Sequence, residues 1–344
     1  MIRFKFLLSA QLSAMALCCT LLQAKGCSAQ PQGQVQETTK PSGTAQTSLP
    51  SNAVKSELSG SSKDSSSKDS SSKDSFSKDS SSNVTCKTAD VERIKSLLQE
   101  ASLLKQKPES WMLWFGKKFV GVPYVGGTLD AAKEEKLVVN TSELDCTTYV
   151  EIVTALTRTI EKGRTDFADF CEELKHVRYI GGDIAYEKRQ HYFTAWINDN
   201  AEEGIVTDIQ QNPPFTKVQH ISVNWMTTHT SSYKMLNGNA SRLKGIKALE
   251  QSINGKSYRY IPKESIVDNS LFRKTIHDGD IIVIITSKKG LDTTHIGLAS
   301  WHKDGLHLLN ASSIHKKVID EPMTLRTYMM KHPSQIGIRV CRVK

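Results

Sequence analysis

Several large protein classes are excluded by what this chain lacks. Beyond residue 30 no hydrophobic run approaches the ~20 residues that a membrane-spanning helix needs. There is no His-Glu-x-x-His and no Cys-x-x-Cys pair, and His191, His295, His302, His307 and His315 are scattered along the chain. No metal centre and no cofactor are therefore expected, and His302 and His307, which flank a turn signal, are expected to face water. Aromatic residues make up only 7% of the chain and never interleave with a basic cluster. The net charge of +9 favours anionic partners in general, and no nucleic-acid partner is expected.

Cysteine is scarce and unevenly placed. Three of the 7 fall before residue 30, which leaves Cys86, Cys146, Cys171 and Cys341. Cys171 could pair with Cys341, and either of them with Cys86; the sequence does not choose among these. Residues 1–29 have Arg3 and Lys5, an apolar run from Phe6 to about Leu22, and then small side chains, the layout of a secretory signal peptide. Cleavage after Ala29 would release a soluble periplasmic protein starting at Gln30. Cleavage before Cys27 would leave a lipid-modified cysteine and a membrane anchor, although Lys25 fits a lipoprotein signal poorly. Residues 30–85 are rich in Ser, Gln, Thr and Lys, and SSKDS recurs with a period of five through Lys63-Asp64, Lys68-Asp69, Lys73-Asp74 and Lys78-Asp79. That period suits neither a helical face nor a strand. With almost no apolar surface to bury, this segment reads as a disordered spacer.

Residues 86–344 are enough for one folded domain with a sizeable core. Apolar spacing predicts a helix over 91–105 and a second over 111–119, followed by a loop at "VGVPYVGGTLD" (120–130). Tyr149, Val153, Leu156 and Ile160 form one stripe of a helix that begins at Cys146 and stops before Gly163. The later text reads as strands: "GDIIVIITS" (279–287), "HIGLASW" (295–301), "GLHLLNAS" (305–312) and "IGIRVCRV" (336–343). Helices followed by an antiparallel sheet make an α+β domain.

A cysteine that opens a helix has a specific chemical use. The positive end of the helix dipole and a neighbouring imidazolium both favour the thiolate, which is the nucleophilic form. A histidine delivered from a strand could then serve as its base. The bland alternative is a small buried hydrophobe or half of a disulfide.

Pro123-Tyr124, Gly126-Gly127, the Asp145-Cys146 pair that opens a helix, and His295-Ile296-Gly297 entering a strand resemble the NlpC-type papain-like cell-wall hydrolases. "VGVPYVGGTLD", "LDCTTYVE", "RQHYFTAWI" and "KKGLDTTHIGLA" look most like the N-acetylmuramoyl-L-alanine amidase-like branch. The resemblance implies a papain-like fold, with Cys146 as nucleophile, His295 as general base and Asn310 in "LLNASS" orienting the imidazole. Many members have histidine where Asn310 stands; an amide oxygen can accept the same N–H but brings no charge. The stretch between Cys146 and His295 is also long, so roughly 164–275 should form insertions that shape the cleft. If 295–301 and 305–312 pair as a hairpin with a loop of even length, His295 and Asn310 fall on one face.

By the same resemblance Tyr124, Asp145, Arg178, Arg189, His191 and Tyr192 are candidate substrate-binding residues. Packing or ion pairing is the competing reading for Tyr124, Arg178 and Arg189. Asp292 could hold the loop before His295. The implied substrate is peptidoglycan or its muropeptide fragments, and the implied bond is the amide between muramic acid and L-Ala, cut by a monomer. A cut between D-Glu and the diamino acid of the stem peptide, or a non-catalytic wall-binding module, are the alternatives.

Overall fold

The computed structural model describes residues 83–344. The expected signal peptide, Cys27 and nearly all of the expected 30–85 spacer lie outside the described residues. The elements run β1 (Val84–Thr85), α1 (Thr88–Ser102), α2 (Trp111–Lys118), β2 (Leu137–Val138), α3 (Cys146–Glu161), α4 (Phe167–Arg178) and α5 (Phe193–Glu202). Next come β3 (Val206–Ile209), β4 (Lys217–His220), α6 (Trp225–Thr228), α7 (Ala240–Ile253), β5 (Ser257–Pro262) and α8 (Ser270–Thr275). The chain closes with β6 (Ile281–Thr286), β7 (Thr293–His302), β8 (Gly305–Ser312), β9 (Lys317–Asp320), α9 (Leu325–Met330) and β10 (Gln335–Val343). The α+β expectation holds: helices dominate the first half, and one antiparallel sheet in the order β4-β5-β10-β6-β7-β8-β9 dominates the second, with β3 also pairing with β10. No helix among the described residues is long and apolar enough to cross a membrane.

The unbroken apolar text of β6 follows from burial on both faces. Ile281 and Val283 join the core under α1 to α5, while Ile282 and Ile284 join the core under α8 and α9. Side chains alternate across a strand, so a sheet covered on both sides needs apolar residues at every position. α3 also departs from a single stripe. Thr154, Thr157 and Thr159 are buried as well as the apolar positions, because α1, α2 and α4 surround the helix and the sheet lies beneath it. Gly163, at φ +71°, ends it in the left-handed conformation that glycine adopts most readily.

Residues 164–275 are not an appended insertion. They supply α4 to α8 and β3 to β5, and both β3 and β5 pair with β10, so the segment is part of the main sheet. Just before Cys86, Val84 and Thr85 pair with Leu137 and Val138.

Candidate active site

Backbone pairing carries the start of α3 to one end of the sheet. Strand β8 runs antiparallel to β7, from His302↔Gly305 to Leu298↔Leu309, so the end of β8 lies beside the start of β7. There Ser312 pairs with Lys317 of β9, Lys317 bridges to Pro123, and Tyr124 bridges to Leu144, two residues before Cys146. The Tyr124 amide donates to the Lys316 carbonyl at 2.9 Å. The Pro-Tyr segment thus acts as a spacer strand that fixes the N-terminus of α3 at the end where His295 sits. Asp292 brings in a third part of the chain. Its Oδ2 accepts the Thr194 amide of α5 at 2.7 Å, while its Oδ1 accepts the Thr293 amide at 2.8 Å.

His295 is 2% exposed, and its Nε2 lies 2.8 Å from Asn310 Oδ1. Asn310 Nδ2 donates to the Leu308 carbonyl at 3.1 Å and to Glu321 Oε1 at 3.4 Å. Both of those partners are acceptors, so the amide nitrogen must face them and the amide oxygen must face the histidine. His295 Nε2 therefore carries the hydrogen, and Nδ1 is the basic nitrogen of the neutral ring. Burial pushes the imidazole below its ordinary value, while the Asn310 hydrogen bond and the Glu321 carboxylate pull it back up. Glu321, 1% exposed, supplies behind the asparagine the charge that the amide cannot. The sequence reading missed it, since no motif marks a carboxylate just past the end of β9.

The hairpin turn is Lys303-Asp304, of even length, and the ladder that starts at His302↔Gly305 brings Asn310 level with Gly297 rather than with His295. The asparagine reaches the histidine diagonally. A Cβ on Gly297 would stand 2.8 Å from Asn310 Cβ and 2.9 Å from the Leu309 carbonyl oxygen. Glycine in the His-Ile-Gly text is what leaves that diagonal open.

Cys146 is fully buried and is the first residue of α3. Asp145 is its N-cap: Oδ1 accepts the Thr147 amide at 3.1 Å and the Thr148 amide at 2.8 Å, and the Asp145 amide donates to Thr148 Oγ1 at 2.9 Å. This reciprocal cap fixes where the helix begins. It also sets a carboxylate at the positive end of the helix, which partly neutralises the dipole there. None of Cys86, Cys146, Cys171 and Cys341 is in a disulfide, and burial pushes the Cys171 thiol up to about 12.

Beside the cap lies a small cleft of about 50 Å³, lined by Asp145, Thr147, Asp130, Arg189, His191 and Tyr233 among others. Arg189 Nη2 donates to Asp130 Oδ1 at 2.6 Å, its Nη1 stands 3.6 Å from Glu135 Oε1, and its guanidinium lies 4.9 Å from the Tyr186 ring centroid. These acids raise the Arg189 pKa against the burial that would lower it. His191 Nε2 donates to the Tyr186 carbonyl at 2.7 Å, and burial holds its ring well below the ordinary histidine value. The acidic partners Asp130 and Glu135 were not singled out from sequence, although Asp130 ends the "GGTLD" stretch.

Two candidates are corrected. Arg178 is fully buried, donating to Glu151 Oε2 at 2.6 Å and to the Val138 carbonyl at 2.7 Å, so it reaches the cleft only through Glu151. Tyr192 packs in the core around α7, donating to Glu250 Oε1 at 2.7 Å and accepting the Met226 amide at 3.0 Å. Both side chains are consumed by structure and do not line the cleft. Asp145 lines it, yet its carboxylate is engaged as the cap. Tyr124 is half-buried beside Leu144, and Asp292 holds the loop before His295, as one reading of the sequence allowed.

Residues 114–338 match the family model described as N-acetylmuramoyl-L-alanine amidase-like. The chain belongs to this AmiA-like family. It is similar to the crystal structure of an N-acetylmuramoyl-L-alanine amidase from Bacteroides uniformis ATCC 8492, with 36% identity and a TM-score of 0.64 over 68% of this chain and 98% of that one. A Bacteroides fragilis protein that carries a provisional xylanase name is 34% identical, with a TM-score of 0.63 over 67% of this chain and 100% of that chain. A Legionella pneumophila protein at 24% identity and TM-score 0.56 shares the fold. No curated protein matches this chain.

Proposed function

We propose that this AmiA-like protein is an exported cysteine amidase of papain-like fold that hydrolyses the amide between the lactyl group of N-acetylmuramic acid and L-Ala in peptidoglycan fragments. The observation that carries the reading is the fixed tautomer of His295: Asn310 accepts its Nε2–H at 2.8 Å, which leaves Nδ1 as the base, at the end of the sheet where α3 begins with Cys146. In the proposed reaction Cys146 Sγ attacks the lactyl carbonyl carbon while its proton passes to His295 Nδ1. The resulting imidazolium gives that proton to the departing alanine nitrogen, and a thioester remains. Water then attacks the thioester with His295 Nδ1 as base, freeing the lactyl carboxylate and returning the thiol.

The cleft supports a substrate that carries several oxygens, because Arg189 and the tyrosines Tyr186 and Tyr233 face it. A glycosidase chemistry is less well served. It needs two carboxylates free to act as acid and base or nucleophile. Asp130 and Glu151, the cleft carboxylates outside the helix cap, are tied to Arg189 and Arg178 at 2.6 Å each.

Digesting purified muropeptides and weighing the products tests the reading. Free disaccharide plus the whole stem peptide means amidase. A disaccharide-dipeptide product would move the cut to the bond after D-Glu, and no product at all would leave a wall-binding module. Mass spectrometry of the secreted protein decides whether the N-terminus is Gln30 or a lipid-modified Cys27.

A further inference from the structure

We propose that His315, in the turn between β8 and β9, is a positioning residue that tunes the His295 base from the protein surface, acting through the buried carboxylate of Glu321. Its consequence for catalysis rests on the hydrolase reading above, while the electrostatic link itself does not.

The contacts run from a buried end to an exposed one. His295 Nε2 donates to Asn310 Oδ1, and Asn310 Nδ2 donates to Glu321 Oε1 at 3.4 Å. The second carboxylate oxygen, Glu321 Oε2, is buried and makes no hydrogen bond. A charge taken out of water in that state is costly unless a positive partner stands beside it. His315 supplies one. Its Nε2 lies 3.2 Å from Glu321 Oε2, an ion-pair contact rather than an aligned hydrogen bond, while its side chain remains 36% exposed. An exposed imidazole exchanges protons with solvent, and histidine changes charge between about pH 5 and 8. The pair is held from both sides. The His315 amide donates to Ser312 Oγ at 3.2 Å, and the Glu321 amide donates to the Leu308 carbonyl at 3.0 Å. His307, 2% exposed where the sequence suggested a water-facing ring, donates from Nδ1 to the Glu321 carbonyl at 2.7 Å.

The sign of the link follows from the charges. The Glu321 carboxylate raises the affinity of His295 for a proton. A proton on His315 offsets that negative charge, so His295 is held lower while His315 is charged. Other charged groups lie close by. Lys316 and Lys317 follow His315 in the chain, Asp320 precedes Glu321 and faces His302 Nε2 at 3.1 Å, and His332, just past α9, pushes His295 down. Among the described residues only His315 forms an ion pair with the Glu321 side chain.

The test is an NMR titration of the His295 ring in full-length protein labelled with ¹⁵N-histidine, run without substrate so that the scissile bond does not enter. His315→Gln removes the cation from an exposed position and is expected to keep the wild-type circular dichroism. It should move the His295 midpoint upward by roughly half a pH unit. His315→Lys keeps a positive charge and should restore the wild-type midpoint, which loss of packing alone would not do. In a Glu321→Gln background, His315→Gln should move nothing. An unchanged or lowered midpoint in His315→Gln, an equal shift in His315→Lys, or the same shift without the Glu321 charge overturns the proposal. Muropeptide turnover across the same pH range separates the two readings: the predicted ring shifts without any hydrolysis would uphold the link and remove the amidase.

Discussion

Asn310 Oδ1 meets His295 Nε2 at 2.8 Å across a strand position that has no side chain. Gly297 stands opposite Asn310 in the ladder, two residues along β7 from His295, and a methyl group there would come within 2.8 Å of Asn310 Cβ. Glu321 Oε1, 3.4 Å from Asn310 Nδ2, holds the amide from the other side. The three residues form a relay in which carboxylate orients amide and amide orients imidazole, and most of the following expectations come from it.

Gly297→Ala should therefore lower activity more than stability. The new methyl must displace Asn310, and overpacking of this kind costs about 1–3 kcal/mol. Muropeptide turnover is expected to fall at least tenfold while the protein stays folded in circular dichroism. Turnover at the wild-type rate would show that the diagonal contact is dispensable.

Glu321→Gln keeps an acceptor for Asn310 but removes the negative charge that raises the His295 pKa. The acid limb of the rate profile should therefore move to lower pH, with a smaller change in the plateau. Glu321→Ala, which also frees the amide to rotate, should depress the plateau itself. An unchanged profile in both variants would confine Glu321 to packing.

In the proposed mechanism Cys146 is the nucleophile and His295 its base, so Cys146→Ala and His295→Ala should each reduce hydrolysis by about 10⁴-fold or more. Product analysis by mass spectrometry measures this directly. Residual turnover within tenfold of wild type in Cys146→Ala would end the cysteine mechanism.

Acid stability follows from two histidines buried in the neutral state. Burial lowers the folded pKa of both His295 and His191, so the unfolded chain binds protons that the folded chain refuses. Stability is thus complete above the ordinary histidine value of about 6.5 and falls as pH drops below it towards the lowered folded values. Thermal melts from pH 8 to pH 5 should show the midpoint falling below about pH 6.5. His191→Gln should flatten that slope.

Arg178→Met should destabilise the fold by roughly 3–5 kcal/mol, because it leaves Glu151 charged and buried without its partner. Replacing both, as Arg178→Met with Glu151→Leu, should recover most of the loss in denaturant melts. Failure of the double variant to recover would mean that the pair does more than cancel its own charge.

Which parts of the molecule could be read in the text depends on how local their causes are. The start of α3 was legible because an Asp-Cys-Thr-Thr cap and a regular apolar stripe are short-range signals, and the four late strands were legible from their β-branched runs. β3, β4 and β5 were not: β3 and β4 have only four residues each, and all three acquire their strand character by pairing with β10 or with each other. Arg178 and Tyr192 misled for a related reason. A motif fixes where such a residue lies in the chain, but whether an arginine meets substrate or Glu151 depends on a helix 27 residues earlier in sequence.

By itself the sequence determined the start of α3, the four late strands, the family text and the candidates Cys146, His295 and Asn310. Tertiary structure alone decided that Glu321 backs the asparagine, that Arg189 is held by Asp130, and that His302 stacks on His307. Each of these contacts joins residues on different elements or across a turn, where charge and geometry come from packing, and no local periodicity encodes them.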